Sequence, residues 1–331
     1  MNRPGHQSAP LPEPSTIPNN GWHVGHYFYR FRRENIQTSL SQTALQAFCS
    51  ALEPGDDSGP QRLAAYWISG HQADFGIMVM DPDPAKVDGV HQALMAPGLG
   101  HLLAPDWSFI SMSEISEYVP TLEGYRERLI AGGAKPDSDE LSAKVAAYER
   151  RLPMMNEQRL RPEFPQWPSA CFYPMNKSRA VGANWFTEPF SRRNSLMAEH
   201  AQSGIAFAGK VSQLISVGVG LDDWEWMVTL WGRNPEYLKE IVYKMRFDMA
   251  SAKYAEFGPF YVGYKSYRRA DSSALQIGLN QSVIHGIRLT RIILPPNQRD
   301  FASNGRLVPF KSFLRVLKRY KLGDKIVLAG V

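Results

Sequence analysis

The chain has 331 residues, of which 44% are hydrophobic and 21% charged. This composition is typical of a soluble globular protein with room for two domains or one internal duplication. Its two cysteines, Cys49 and Cys171, exclude a disulfide framework and have no neighbours at metal-ligand spacing, so we expect a reducing, cytoplasmic location. No stretch approaches the roughly 20 apolar residues that a membrane-spanning helix requires.

The formal net charge of +5 is unevenly distributed along the chain. Residues 264–331 carry thirteen Lys and Arg against three Asp, a balance of +10, whereas the preceding 263 residues carry −5. Within this basic extension, alternation predicts a strand at 288–294, and helical periodicity predicts an amphipathic helix at 310–320. Such a helix either packs on its own protein body or lies against a membrane surface or an acidic partner.

Two stretches of the chain repeat one order of predicted elements, strand-helix-strand-strand-helix-strand. In the first stretch, the predicted elements are 22–33, 39–52, 63–69, 75–81, 84–94 and 107–118. In the second stretch, they are 170–177, 190–202, 210–219, 224–231, 235–254 and 259–264. In both stretches an Asp-Pro or Asn-Pro pair precedes the second helix. Tandem units of this kind predict two antiparallel four-stranded sheets, each covered by helices on one face.

The repeat divides the chain into five predicted segments. Residues 1–21 contain five prolines and form a predicted disordered leader. Two ferredoxin-like subdomains follow at 22–120 and 169–263, and a linker at 121–168 separates them with a charged helix near 140–150. The basic extension, 264–331, completes the chain.

One predicted strand carries an unusual pair of side chains. Alternation places Cys171, Tyr173, Met175 and Lys177 on the same face of strand 170–177. A buried ammonium requires a partner, and a bound anion would supply one. The alternative is an edge-strand lysine that reaches solvent beside a tyrosine bonded to the backbone.

The predicted helix 190–202 places one histidine, His200, on the same face as Leu196 and Met197. Neutral imidazole is a common axial ligand of haem iron, so His200 is a candidate metal ligand. A lone inward-facing histidine is, however, more often a hydrogen-bonded core residue than a metal ligand.

Several runs in the second half resemble those of the chlorite dismutase-like superfamily and, within it, the coproheme decarboxylases. Phe172–Lys177 is similar to that family's Tyr-Pro-Met-x-Lys strand, and Leu196–His200 to its proximal-histidine helix. Three further runs resemble its later motifs: 220–226, 245–248 and 254–260. The resemblance implies an α+β fold in which tandem ferredoxin-like β-α-β-β-α-β units form a dimeric α+β barrel, here with a C-terminal extension.

The resemblance also implies an activity, namely peroxide-dependent oxidative decarboxylation of Fe-coproporphyrin III (coproheme) to haem b through a monovinyl species. The iron porphyrin would be both substrate and redox cofactor, and hydrogen peroxide the second substrate. A homopentamer and a transient contact with ferrochelatase are the implied protein partners. We expect no nucleic-acid partner, because the basic extension lacks a stacking pattern of aromatic residues.

Individual roles follow from the resemblance, residue by residue. His200 would be the proximal iron ligand, Tyr173 the oxidised phenol, and Lys177 the group that holds the reacting propionate. Met175 would pack at the porphyrin edge. The implied propionate anchors are Arg159, Arg246 and Ser251, which suits a ligand with four carboxylates.

Gln213 separates this chain from its chlorite-splitting relatives. Those members carry an arginine at this point, where a guanidinium stabilises the oxyanion produced from chlorite. A neutral glutamine therefore favours the decarboxylase. The alternatives are a chlorite- or dye-oxidising haem enzyme of the same fold, a non-catalytic haem-binding protein, or a nucleic-acid-binding protein that uses the basic extension.

Overall fold

A computed structural model describes residues 13–35, 52, 59–97 and 99–265, with two short strands, Lys321–Leu322 and Lys325–Ile326, beyond them. Several predicted features therefore lie outside the described residues: the first half of the leader, most of the helix at 39–52, the strand at 288–294 and the helix at 310–320.

The described part of the chain alternates strands and helices as the repeat predicts. The strands of the main sheet are β1 (His23–Phe31), β2 (Arg62–Ser69), β3 (Phe75–Asp81), β4 (Leu103–Ser113), β5 (Ser169–Lys177), β8 (Val211–Val217), β9 (Trp226–Gly232), β10 (Ala255–Phe257) and β11 (Tyr261–Tyr264), while β6 (Arg179–Ala180) and β7 (Ala183–Asn184) form a small hairpin. The helices are α1 (Pro84–Met95), α2 (Leu122–Ala131), α3 (Asp139–Leu160), α4 (Phe190–Ile205), α5 (Pro235–Met245) and α6 (Met249–Ala252).

The main sheet closes on itself. Its strands run in the order β10-β5-β11-β2-β3-β1-β4-β8-β9, and an additional pairing of β5 with β9 joins the ends. The order β2-β3-β1-β4 of the first half recurs in the second half as β8-β9-β5-β11. The two halves meet where β11 pairs with β2 and β4 pairs with β8. The predicted pair of sheets is thus one closed sheet, and the predicted α+β barrel fold is confirmed.

Strand alternation divides the buried residues into two layers. Inward-facing residues such as Phe28, Phe172 and Trp231 form an aromatic core inside the closed sheet. Outward-facing residues form separate clusters under the helices. In the second half, Tyr173 of β5 and Val228 of β9 lie in the outer cluster, together with Ile241 of α5. The outer face of β5 therefore contributes to a layer between sheet and helices.

The prediction of a single helix at 235–254 is wrong, because the structure has two helices in this range. The chain leaves the helical conformation after Met245 and re-enters it for one turn in α6. Asp248 caps α6, because its side chain accepts a hydrogen bond of 2.9 Å from the backbone N–H of Ser251. The break turns the short helix α6 towards α4, and α6 lies in contact with it.

Two other predicted boundaries also differ. The strand predicted at 107–118 runs instead from Leu103 to Ser113, and a β-bulge opposite Phe28 and Tyr29 accommodates Pro105 within it. The linker helix predicted near 140–150 extends to Leu160 and contains Pro153. No helix in the described ranges is both long enough and apolar enough to cross a membrane.

Candidate functional site

Tyr173 lies on the outer face of β5, in the layer between the sheet and α5. Its ring stacks on Phe260 at a centroid distance of 4.4 Å and packs against Phe257 at 5.8 Å. Met175, two residues along the strand, is half-buried against the same cluster. The side chain of Tyr173 is almost fully buried, and burial raises the pKa of its phenol, so the group is neutral at physiological pH.

A guanidinium lies close to this phenol. Arg246 follows the last residue of α5, and its side chain lies 4.0 Å from the centroid of the Phe257 ring. The positive charge of Arg246 partly offsets the effect of burial on the pKa of Tyr173. Arg246 is itself exposed, so it can reach an anion from the solvent side of the cluster.

Lys177, the last residue of β5, is buried. Its Nζ donates a hydrogen bond of 3.1 Å to the carbonyl oxygen of Ala250 and lies 4.3 Å from the centroid of the Trp185 ring. Its backbone N–H donates to the buried carboxylate of Glu225 at 2.7 Å. Burial lowers the pKa of Lys177 from 10.5 to about 8, against the opposing charges of Asp248 and Glu225. Burial accounts for this lowering, as it does for the pKa of Lys265 outside the site, so the functional argument depends on the position of Lys177.

The lowered pKa of Lys177 has a consequence for stability. Because the folded-state pKa lies below the unfolded value, burial of the ammonium destabilises the fold below pH 8, and this cost is removed as pH rises from about 8 to 10.5. We expect the free energy of unfolding of the wild type to rise by about 3 kcal/mol relative to Lys177→Met across that interval. Urea unfolding of both proteins at several pH values measures this difference. Parallel pH dependences would contradict the buried-ammonium assignment.

His200 lies on α4 and faces α6. Its Nδ1 is 2.9 Å from the Asp248 carboxylate and 3.3 Å from the hydroxyl oxygen of Ser251. Burial of Asp248 favours its neutral form, but hydrogen bonds from His200 and Ser251 hold the pKa of its carboxyl below the usual value. An ionised carboxylate only accepts hydrogen bonds, so Nδ1 of His200 carries the proton of this bond, and in the neutral ring Nε2 has the lone pair. This tautomer suits a metal ligand.

Gln213 lies beside the helix that carries His200. It is exposed on the outer face of β8, and its Nε2 is 3.8 Å from the position of a Cβ built on Gly204, one turn beyond His200. The same Cβ would lie 3.4 Å from Cε of Met245, the last residue of α5, which is an ordinary van der Waals distance. Ile215, the next outward residue of β8, is 39% exposed.

Seven of the eight predicted site residues thus lie around α4, α5, α6 and the outer faces of β5 and β8. They are Tyr173, Met175, Lys177, His200, Gln213, Arg246 and Ser251. Arg159 is the exception. It lies in the last turn of α3, where its guanidinium donates a 3.2 Å hydrogen bond to Asn156. Within the described residues it makes no hydrogen bond or ion pair with the other seven.

Two cavities of about 410 Å³ lie among the described residues, and neither is lined by Tyr173 or His200. Leu196 is the only buried residue of α4, and Ile205 at its end is exposed. Polar contacts also hold the helix, namely His200 with Asp248 at 2.9 Å and Arg193 with Glu117 at 3.3 Å.

The sequence analysis did not identify Asp248 or Trp185 as parts of this site. Asp248 lies within residues 235–254, where helical periodicity predicts one continuous helix, although Asp-x-x-Ser is a helix-start pattern that indicates the break. Trp185 lies in a short 3₁₀ turn, Trp185–Thr187, and its contact with Lys177 has no local sequence signal.

The closed sheet of two ferredoxin-like halves, with an imidazole-bearing helix over the outer face of the second half, defines a class of α+β barrel proteins. Residues 41–266 match the family described as chlorite dismutase. The chain belongs to the chlorite dismutase family, which the sequence resemblance predicted.

Three relatives illustrate the match. The chain is 33% identical over 231 residues to the coproheme decarboxylase of Oceanobacillus iheyensis, covering 70% of this chain and 83% of that protein. It is 34% identical over 251 residues to the coproheme decarboxylase of Staphylococcus carnosus, covering 74% and 92% respectively. A heme-binding protein of known structure from Thermus thermophilus is 30% identical and superposes with a TM-score of 0.58, covering 74% of this chain and 91% of that one.

Proposed function

We propose that this protein is a coproheme decarboxylase, which binds iron coproporphyrin III and, with hydrogen peroxide, converts two of its propionates to vinyl groups. The observation that carries this proposal is the joint placement of the His200–Asp248 pair, Lys177 and Tyr173 around one layer of the second half. The two curated relatives named coproheme decarboxylases, each about a third identical over most of the chain, support it.

The donor set fits an iron porphyrin. His200 offers Nε2 to the iron, while Asp248 fixes the ring through Nδ1. When bound, the iron porphyrin supplies the chemistry that activates peroxide. Met175 and the aromatic residues around Tyr173 provide apolar contacts for the macrocycle.

Tyr173 carries the oxidation to the propionate. Its phenol gives up an electron and its proton, and then regains a hydrogen atom from the β-carbon of the propionate. Loss of CO2 and of a second electron leaves the vinyl group. For each propionate, one carboxylate, one hydrogen peroxide and one proton yield one vinyl group, one CO2 and two waters. The surrounding apolar cluster excludes water from the phenol.

Cationic and hydroxyl groups hold the acid arms of the substrate. Lys177, with a pKa of about 8, is mostly an ammonium at neutral pH and can bind the reacting carboxylate. Arg246 and Ser251 are the proposed anchors of further propionates. Arg159 stays a prediction as an anchor, since among the described residues its guanidinium donates to Asn156 on its own helix and not to another site residue.

Gln213 argues against chlorite splitting as the reaction of this protein. A neutral amide on β8 stabilises an oxyanion derived from chlorite poorly, which disfavours chlorite splitting. We further propose that the protein acts in the cytoplasm as a homopentamer and receives its substrate through a transient contact with ferrochelatase.

The test uses the purified full chain with iron coproporphyrin III and stepwise additions of hydrogen peroxide. Mass spectrometry should show loss of two carboxyl groups in sequence, ending at haem b. Chlorite in place of peroxide is the matched control and should release no oxygen. Unchanged porphyrin after peroxide consumption, or rapid oxygen release from chlorite, would contradict the proposed function.

A further inference from the structure

The first half of the closed sheet has a counterpart of the proposed porphyrin site. Tyr27 is the fifth residue of β1, as Tyr173 is of β5, and each pairs with the third residue of the neighbouring strand, Ile77 and Val228 respectively. In both halves the next helix begins at a proline three residues beyond that strand. Both tyrosines face outwards, into the layer beneath this helix.

The contents of the two layers differ. The eighth residue of α5 is Val242, which packs into the cluster of Tyr173, whereas the eighth residue of α1 is His91. His91 accepts or donates a hydrogen bond of 2.8 Å with the hydroxyl of Tyr29 and stacks on the ring of Tyr27 at 5.2 Å. The position beneath α1 is therefore aromatic and polar.

A cavity of about 410 Å³ opens between α1 and the bulged stretch of β4, with Tyr27 and Tyr29 among its lining residues. The hydroxyl of Tyr27 is buried and has no hydrogen-bond partner, although the residue is 4% exposed overall. An unsatisfied buried hydroxyl costs free energy unless something binds it. The volume lies within the range of small-molecule sites.

The charges around this cavity determine which charge its ligand should carry. Asp88 of α1 and Asp106 of the bulge contribute carboxylates, and no lysine or arginine is among the described lining residues. Asp106 forms an ion pair with Arg30 at 2.6 Å and accepts a hydrogen bond of 3.3 Å from Tyr261, whereas Asp88 accepts, among the described residues, only from the amide of Gln92 at 3.1 Å. Carboxylate and phenol oxygens accept hydrogen bonds from an ammonium, and aromatic faces attract its charge. An anionic porphyrin, with its four carboxylates, does not suit this lining.

We infer that this cavity is a second ligand site, which binds a small organic amine as its ammonium ion, with the hydroxyl of Tyr27 and the carboxylate of Asp88 as acceptors and the rings of Tyr27 and Tyr29 beside its apolar body. This site is separate from the proposed porphyrin site and does not depend on it.

Benzylamine is the probe, and calorimetry or ligand-detected NMR of the full chain is the measurement. We expect saturable binding with a Kd of about 1 mM or tighter, and weaker binding of benzyl alcohol and benzoate. Tyr27→Phe and Asp88→Asn should each weaken benzylamine binding at least about fivefold, whereas Tyr173→Phe in the other half should not change it. Turnover of iron coproporphyrin should be unaffected by Tyr27→Phe.

Folding of the variants is checked independently. Tyr27→Phe retains the ring and removes an unpaired hydroxyl, so its Tm should equal or exceed that of the wild type. Asp88 is exposed, so Asp88→Asn tests the carboxylate without disturbing the core. Lack of saturation up to about 10 mM, benzoate binding as tight as benzylamine binding, or unchanged affinity in either variant would overturn the inference.

Discussion

Tyr173→Phe should bind iron coproporphyrin with nearly the wild-type affinity but form product at least about a hundredfold more slowly, a loss equivalent to about 3 kcal/mol in the barrier. The ring of phenylalanine preserves the stacking on Phe260 and the contact with Phe257, so no cavity is created. Only the oxidisable oxygen is removed. Absorbance titration with the porphyrin and mass analysis of products after peroxide addition separate binding from turnover.

Tyr243→Phe is the matched control for this experiment. Tyr243 lies on α5, close in sequence to Arg246, but its side chain is 66% exposed rather than buried against the cluster. Removal of the Tyr243 hydroxyl should leave the turnover of iron coproporphyrin unchanged. Wild-type turnover in Tyr173→Phe would remove Tyr173 from the mechanism, and equal losses in both variants would indicate unspecific oxidation of phenols.

Much of the fold could be predicted from local patterns. Alternation and proline-initiated helices located most elements, for instance β3 at Phe75–Asp81 and α1 beginning at Pro84. Closure of the sheet could not be predicted in the same way. It depends on the β4–β8 pairing, which involves only Met112 and Ser113 on one strand, and such non-local pairing has no local pattern.

Those features of the site that depend on a single strand or helix could be predicted from the sequence. Strand alternation correctly placed Tyr173 and Met175 on one face of β5, and helical spacing placed His200 on the inward side of α4. Contacts between different elements could not be predicted from these local patterns. The carbonyl of Ala250 reaches Lys177 only because the chain breaks before α6, and continuous helical periodicity through 235–254 concealed that break.

His200→Ala should weaken the binding of iron coproporphyrin at least about a hundredfold and abolish the spectrum of the imidazole-ligated iron, because α4 offers no other imidazole. Asp248→Asn should weaken the binding of iron coproporphyrin by about 10- to 100-fold, since the amide holds the His200 ring less strongly than the carboxylate does. Absorbance titration and resonance Raman spectra of the bound ferrous form measure both effects.

Loss of folding must be distinguished from loss of the ligand, since His200→Ala leaves the buried Asp248 carboxylate without its imidazole partner. His200→Gln addresses this, because the glutamine amide can still donate to Asp248 but is a poor iron ligand. It should retain the wild-type Tm and still lose the imidazole-ligated spectrum. Glu199→Ala, at the exposed neighbouring position on α4, controls for disturbance of the helix and should bind normally. An unchanged spectrum in His200→Gln would refute ligation through this residue, because neither folding nor helix disturbance could then explain the result.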